Sequence, residues 1–550
     1  MKRDILALET RRFDVIIVGG GIYGAVLTWQ LTVSGYKVLL LEKGDFCSAT
    51  SANSLKILHG GLRYLQHLDL RRMRESIVSR RELMRFCPHL TRPLGCLVPT
   101  VGHGLRSKGI MATAFLINDL ISWDRNRNLP PENRLPRGRL VRKKNFVSLL
   151  PDLPQEEVTG GALWFDGLAL NTERLALEYI LAAVDLDAVA INYFQVDRIV
   201  SRRVQGQLRV RGVEGRDVHT GRTCHIDAPW VINAAGPWYE HLLRISGLSA
   251  PVQGSWAKAV NLVVRKQLHP EFGVGLESRE EYLDRDAMFK RGKRLYFFVP
   301  WRRGSMIGTT YRVYPDHPDR LKATEEDIAE ILEEVNQIYP RIHLERKDVS
   351  FFHCGLVPMA GSPDDGPGEV QLAKSSLILE HGRHGGPAGL ISLRTIKYTT
   401  APAVAEKVAA IMERRRAGKS GKPVSFFPRS HASTSVVASK PVVRHLRKQY
   451  GNRADRILAF AASRGIDETW LHRDPDVLTA EIHYFVQEEM AVTLADIVFR
   501  RTGLGSFGCP SLSLLERIAA VMAAELSWDA GQVCREIQRV QVAYVPESAE

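Results

Sequence analysis

Residues able to do chemistry gather in three stretches of this chain. The first is Gly19-Gly20-Gly21-Ile22-Tyr23-Gly24, with Glu42 standing 18 residues beyond its last glycine. A glycine turn of this spacing lets a pyrophosphate approach bare backbone at a helix N-terminus, and an acid at that remove meets a ribose hydroxyl pair. The second stretch holds small polar groups, Thr50, Ser51 and Ser54 among them, suited to hydrogen-bonding phosphate and ribose. It continues through Lys56 to His59-Gly60-Gly61-Leu62-Arg63-Tyr64, which sets cationic and aromatic groups beside paired glycines as a ligand pocket would. The third, Lys397-Tyr398-Thr399-Thr400, is a polar turn between an apolar run and a helical one, a second anion site. The glycine unit implies an adenine dinucleotide and does not distinguish FAD from NAD.

Regular elements must hold these groups. Residues 13–18 are apolar and read as a strand, a helix follows Gly21, and Tyr36-Lys37-Val38-Leu39-Leu40-Leu41 is the next strand, so 13–42 forms one βαβ unit. The apolar runs at 230–238 and 390–393 read as further strands of the same domain. Alternation at 191–200 and 208–213, with runs at 259–264, 295–300 and 306–310, makes the middle of the chain strand-rich, as a substrate domain. Helices are expected over 171–183, capped by Asn171 or Thr172, and over 324–339, where Thr324 and Asp327 have capping-box spacing. Residues 129–154 read as a loop, 416–440 as a linker, and 441–550 as a separate helical module. The expected class is α/β. A Rossmann-like dinucleotide-binding domain falls in segments near 11–100, 155–245 and 350–415, with an interleaved β-rich substrate subdomain near 246–349 and a C-terminal α-helical domain.

At 550 residues, more than one core is expected. Seven scattered cysteines with no paired spacing argue against a zinc site or a disulfide framework and for a reducing, cytoplasmic compartment. The net charge of +14 permits a polyanionic partner, whether nucleic acid, anionic lipid or a phosphorylated substrate. No aromatic RNA-binding strand or zinc knuckle accompanies it, so no nucleic-acid partner is expected. Residues 67–86 form a basic amphipathic helix, with Leu70, Met73, Ile77 and Met84 along one side, and packing of that stripe on the core is favoured over lipid contact. The apolar stretch 109–123 is too short to span a bilayer; a core helix is favoured over one lying in the headgroup plane.

Taken in order, these motifs resemble the FAD-dependent glycerol-3-phosphate dehydrogenases. The resemblance rests on the glycine turn, Thr50-Ser51, Lys56, His59-Gly60-Gly61-Leu62-Arg63-Tyr64-Leu65, Asn233-Ala234-Ala235-Gly236-Pro237-Trp238, Pro300-Trp301, Ile307-Gly308-Thr309-Thr310 and Lys397-Tyr398-Thr399-Thr400. It continues through Glu481, Tyr484, Glu488-Glu489, Thr493, Asp496 and Arg500-Arg501-Thr502 in the helical module. It implies FAD, held by the glycine turn with Glu42, Lys43, Thr50, Ser51, Ser54, Lys56, Val196, Ala235, Gly236, Trp238, Tyr398, Thr399 and Thr400. It also implies a quinone as electron acceptor, a peripheral place on an anionic membrane surface, and the C2 hydroxyl of glycerol 3-phosphate as hydride source; the sequence is compatible with a homodimer and does not fix the oligomeric state. Such an oxidation needs a base for the hydroxyl proton. His59 and Lys397 are candidates, His353 is a third, and Arg63 and Tyr64 complete the catalytic set.

The sequence departs from this family where substrate is held. The family's Gly-Val-Arg-Pro reads Gly355-Leu356-Val357-Pro358, so a cation has become aliphatic. Tyr311 and Arg312 follow Thr309-Thr310, and Thr395-Ile396 replaces the glycine pair before the lysine. Tyr311, Arg312, His353 and Lys374 are the expected substrate contacts, with Arg312, Arg394 or Lys374 as replacements for the lost arginine. A different small alcohol or amine is the alternative substrate.

Overall fold

The apolar run at the start of the chain becomes the inner strand of a parallel sheet. The computed structural model describes residues 1, 3–250, 252, 254–283, 291–360, 370–415 and 438–547. The expected linker at 416–440 lies almost wholly outside the described residues. Six strands run in the order Leu377–Glu380, Leu390–Arg394, Trp230–Asn233, Val15–Val18, Val38–Leu41 and Val189–Ile191. Every neighbouring pair is parallel except the first.

Burial on both faces explains why these strands read as continuous apolar runs. Val15, Ile17, Val38 and Leu40 face a core shared with the helices Ile22–Val33, Thr172–Val184 and Ala401–Arg415. Ile16, Val18, Leu39 and Leu41 face the other way, onto an antiparallel layer of Phe194–Val204, Gln207–Asp217 and Thr223–Asp227. Asn171 caps its helix as expected, accepting from the Arg174 amide at 2.8 Å. Thr324 and Asp327 form the expected capping box on Glu325–Ile338.

The second sheet has nine strands and draws on more of the chain than residues 246–349. Along its path Val349–Pro358, Trp256–Val264, Gly304–Tyr314, Arg291–Trp301 and Phe272–Leu283 are followed by Thr91–Thr100, Gly160–Ala169 and Ile57–Leu58. Arg139–Arg142 joins it beside Gly160–Ala169, and Lys143–Leu149 is helical, so the expected loop at 129–154 is partly regular. Proline and arginine density hid these short pieces, because sheet pairing rather than local propensity decides them. Glu325–Ile338 covers one face through Ile328, Ile331 and Val335 against Val260, Leu262 and Val264. The opposite face is the one turned to the site.

The C-terminal module packs the helices Lys440–Tyr450, Ala454–Ser463, Thr479–Glu488, Leu512–Leu526 and Ala530–Val542 around its own core. It adds a short hairpin, Trp470–Arg473 with Asp476–Leu478, and a π-helical turn, Asp496–Arg501. In the basic helix, Leu70–Phe86, Met73, Ile77 and Met84 are buried as expected, while Leu70 at its first turn is exposed. The stretch at 109–123 overturns the core-helix expectation. Its helix, Lys108–Ile121, buries only Phe115, and Leu116, Leu120 and Trp123 are 68%, 76% and 73% exposed. Among the described residues no helix is long and apolar enough to cross a membrane.

Candidate active site at the carboxyl edge of the parallel sheet

Parallel strands end at one edge, and the loops that leave them there are brought together by that fact alone. Val15–Val18 runs into the glycine turn, Val38–Leu41 into Glu42, Trp230–Asn233 into Ala234 to Trp238, and Leu390–Arg394 into Lys397. Gly19 has a left-handed φ of +106°, and a Cβ on it would stand 2.6 Å from the Ala234 carbonyl oxygen. A Cβ on Gly24 would come within 1.9 Å of the Gly19 carbonyl oxygen, so helix and turn pack as only glycine permits.

The Glu42 carboxylate accepts from the amides of Gly20 at 2.6 Å and Gly44 at 2.8 Å. Burial pushes this carboxyl above its ordinary range against the pull of those two amides. Each of its oxygens keeps acceptor capacity for a ribose hydroxyl. Gly21 at the N-cap brings no side chain of its own, and among the described residues a Cβ there would meet Ser51 Oγ at 3.0 Å and Ser51 Cβ at 4.0 Å, so backbone lines the turn. Ser51 Oγ accepts from the Ile22 amide at 3.0 Å. A dinucleotide pyrophosphate and ribose fit these groups in kind.

The turn reaches the catalytic candidates through Tyr23. Its hydroxyl donates to the Lys397 carbonyl at 2.6 Å and lies 2.9 Å from Thr400 Oγ1. Lys397 Nζ donates to Tyr64 Oη at 2.6 Å and sits 4.3 Å from the centre of that ring. The His59 amide donates to Thr399 Oγ1 at 3.2 Å. Arg63 precedes Tyr64 in the turn Leu62–His67. Lys397 and Thr399, more than 330 residues downstream in sequence, therefore meet Tyr64 and the His59 backbone at this edge.

His59 has a partner that the sequence reading missed. Its Nδ1 lies 3.4 Å from Asp166 Oδ2, and Asp166 also takes the Gly60 amide at 2.7 Å and the Arg80 guanidinium. Burial alone would raise the Asp166 carboxyl, but His59 and Arg80 hold it at about 2. The available signal was a lone acid inside an apolar strand, Gly160–Ala169, where an unpaired charge would be costly.

The residues expected at cofactor and substrate divide into those the edge collects and those given another task. Lys56 is corrected: its ammonium is buried and donates to Ala52 O at 2.6 Å, Thr172 Oγ1 at 2.7 Å and Glu173 at 2.9 Å, a closed structural pair. Ser54 Oγ accepts from the Lys56 amide, and Thr50 Oγ1 bridges the Leu356 amide and carbonyl, each at 3.3 Å, tying the turn to the second sheet. Lys43 and Trp238 both engage Asp319 Oδ1, at 2.5 and 2.8 Å. Tyr398 donates to the Thr172 carbonyl at 2.7 Å. The Val196 side chain packs in the core between the two layers. Ala235 donates its amide to Asn233 Oδ1 at 3.3 Å, and the space a Gly236 Cβ would enter is open for 4 Å.

Strand alternation sorts the substrate candidates. Tyr311, Ala259 and Gly355 form one cross-strand row, and a Cβ on Gly355 would face Asn53 and Thr50, so this face of the sheet looks toward the site. His353 and Val357 share it, two residues to either side of Gly355. Arg312 is corrected, because the pleat turns it to the opposite face, where it pairs with Glu330, Glu326 and Asp327 of the covering helix. Arg394 is likewise spent on the carbonyls of Ser255 and Met359, each at 3.0 Å. Lys374 stays near Val357, held by Ala373 N to Pro358 O at 2.9 Å and Arg72 Nη1 to Lys374 O at 2.8 Å. His353 is buried, with Nδ1 3.4 Å from Asn53 Oδ1 and no protein partner for Nε2 among the described residues. Burial, then the Lys56 charge, keeps its imidazole well below the ordinary value and so neutral near pH 7.

Residues 14–410 match the FAD dependent oxidoreductase family, and residues 426–533 match the C-terminal domain of alpha-glycerophosphate oxidase. The glycerol-3-phosphate dehydrogenase of Mycobacterium leprae is 30% identical over 96% of this chain and 87% of its own. The chain belongs to the FAD-dependent glycerol-3-phosphate dehydrogenase family. The Synechocystis member of the family is 28% identical over 98% of this chain and 97% of its own. The crystal structure of the Bacillus halodurans glycerol-3-phosphate dehydrogenase complexed with FAD shares the fold, with a TM-score of 0.71 at 23% identity over 98% of this chain and 96% of that one. As a family member the chain is an FAD-dependent oxidoreductase with a mixed α/β fold and a C-terminal helical region.

Proposed function

We propose that this enzyme oxidises the C2 hydroxyl of glycerol 3-phosphate to give dihydroxyacetone phosphate and passes the electrons to a quinone at a membrane surface. The meeting of His59, Tyr64 and Lys397 at the carboxyl edge carries the proposal. FAD, when bound, supplies the two-electron acceptor. Asp166 engages His59 Nδ1, which leaves Nε2 to take the hydroxyl proton, and its charge stabilises the imidazolium that results. The Lys397 ammonium, donating to Tyr64 Oη, leaves the phenolic hydrogen to hold the substrate oxygen as charge develops there. Arg63 and Lys374 supply cations for the phosphate.

Glu42 and the glycine turn are the groups we assign to the adenosine and pyrophosphate, and Thr399, Thr400 and the helix N-terminus behind them to the flavin end. Exposed Leu116, Leu120 and Trp123, flanked by Arg106 and Lys108, support a lipid surface as the place of electron transfer, on the cytoplasmic side. Anaerobic addition of glycerol 3-phosphate to the yellow purified enzyme tests the substrate, with bleaching of the flavin as the expected outcome. Bleaching instead by an unphosphorylated alcohol or amine selects a second reading, favoured by the aliphatic Val357 on the site face: a divergent member of the fold with another small substrate.

A further inference from the structure

The glycine turn is fixed from behind by the loop at residues 42–48. Glu42 holds the Gly20 and Gly44 amides, the Cys47 amide donates to the Gly20 carbonyl at 3.0 Å, and the Tyr193 amide donates to the Gly44 carbonyl at 2.9 Å. At the centre of this loop Asp45 is fully buried, and its carboxylate points away from the turn into the C-terminal module. Arg501 Nη2 donates to Asp45 Oδ1 at 2.9 Å while Nη1 donates to Oδ2, a two-pronged contact. Arg500 Nε adds a bond to Oδ2 at 2.5 Å, and Asn192 Nδ2 one to Oδ1 at 3.0 Å.

Both arginines belong to the π-helical turn Asp496–Arg501, and each is anchored within its own module. Arg500 Nη2 donates to Asp496 Oδ1 at 2.5 Å, and Arg501 Nη2 to the Glu489 carbonyl at 2.8 Å. Asp496 in turn accepts from Tyr193 Oη at 2.7 Å. A π-turn widens the helix by one residue and commonly marks a site where side-chain placement matters more than regular hydrogen bonding. Here two consecutive arginines of the turn converge on one carboxylate.

We infer that Arg501, with Arg500, is a positioning residue for FAD: by clamping Asp45 it holds the loop that presents Glu42 and the Gly20 amide, so the C-terminal domain sets cofactor affinity. The two arginines lie far downstream of this loop, at sequence separations from Asp45 of 455 for Arg500 and 456 for Arg501. Coupling is reciprocal, so FAD binding also tightens the docking of that module. The inference rests on the assignment of Glu42 and the glycine turn to the adenosine.

Release of FAD from diluted holoenzyme, followed by flavin fluorescence, tests both. Arg501→Lys keeps the charge and loses the fork, and it is expected to raise the FAD dissociation constant about tenfold, with Arg501→Gln further still. Arg453→Gln cuts another buried contact between the same modules, to Glu178 and Asp185, without touching Asp45, and is expected to leave FAD affinity within about twofold. If Arg453→Gln weakens FAD as much as Arg501→Lys does, generic loosening explains the effect and the inference falls. Glu42→Gln separates the two layers. Weaker FAD with Glu42→Gln but not with Arg501→Lys sinks the inference alone, and unchanged FAD with Glu42→Gln sinks the assignment beneath it as well. Should the Arg501 variants not fold, amide exchange in the wild-type enzyme decides: amides 496–501 are expected to exchange more slowly with FAD than without it, and equal rates overturn the inference.

Discussion

The carboxyl edge of the parallel sheet and the wall of the second sheet that looks toward it are built on opposite plans. At the edge, charged and polar groups are tied down by the fold: Glu42 is oriented by two amides, and Lys56 is taken up by Glu173 and Thr172 and Asp45 by two arginines. On the wall, the sheet face carries Tyr311, His353 and Val357, with His353 Nε2 unpaired among the described residues, and the nearby cations Arg312 and Arg394 are turned elsewhere. A dinucleotide is bound mainly through rigid backbone, which needs internal scaffolding; a substrate is chosen by side chains that the fold must leave unspent. Changes to the groups that scaffold the edge should therefore appear as stability or FAD affinity, and changes at the catalytic cluster or wall as kinetics.

The most severe test of that contrast is Lys56→Met. It leaves Glu173 buried without its cation and is expected to destabilise the protein by about 4 kcal/mol in denaturant unfolding, while flavin in the folded fraction keeps its spectrum. A stable variant with a shifted flavin spectrum would return Lys56 to the cofactor. Next comes Lys397→Met, expected to slow anaerobic flavin reduction by about 10²- to 10³-fold with FAD retained, as stopped-flow absorbance would record. Loss of FAD without loss of rate in the loaded enzyme would place this lysine on the edge side of the comparison.

Acid titration has a smaller effect. Asp166 sits at about 2 when folded and near 3.9 when unfolded, so its contribution is present above the unfolded value and is lost as pH falls from about 4 toward 2. That contribution is about 2 to 3 kcal/mol, and comparing unfolding of the wild type and Asp166→Asn across this window reads it directly. The mildest change is Val357→Arg. It is expected to tighten a phosphorylated substrate by about tenfold, about 1.4 kcal/mol, and to leave stability nearly unchanged. A parallel gain for unphosphorylated polyols would mean that the wall does not face the phosphate.

Much of this was open to a reader of the chain. The βαβ unit was legible because strand, turn and helix periodicities are local, and the caps at Asn171 and Thr324 because a cap satisfies amides two or three residues away. The catalytic cluster was legible only as separate motifs, since nothing local says that Lys397 bonds Tyr64. Tyr311 and Arg312 looked alike as neighbours in sequence, and a pleat sends them to opposite faces. The stretch at 109–123 looked like core because its residues are apolar, yet exposure depends on what packs against a helix, and Leu116, Leu120 and Trp123 have little over them.

The sequence by itself determined the glycine turn proposed to grip the dinucleotide, because such a turn uses backbone conformations which glycine spacing specifies. Only the tertiary structure decided which charges remain for chemistry. Asp166 orients His59, whereas Glu173 for Lys56, Glu330 for Arg312 and Asp45 for Arg501 are partners from elsewhere in the chain that tie those cations into the fold, and no local pattern in the sequence separates the two cases.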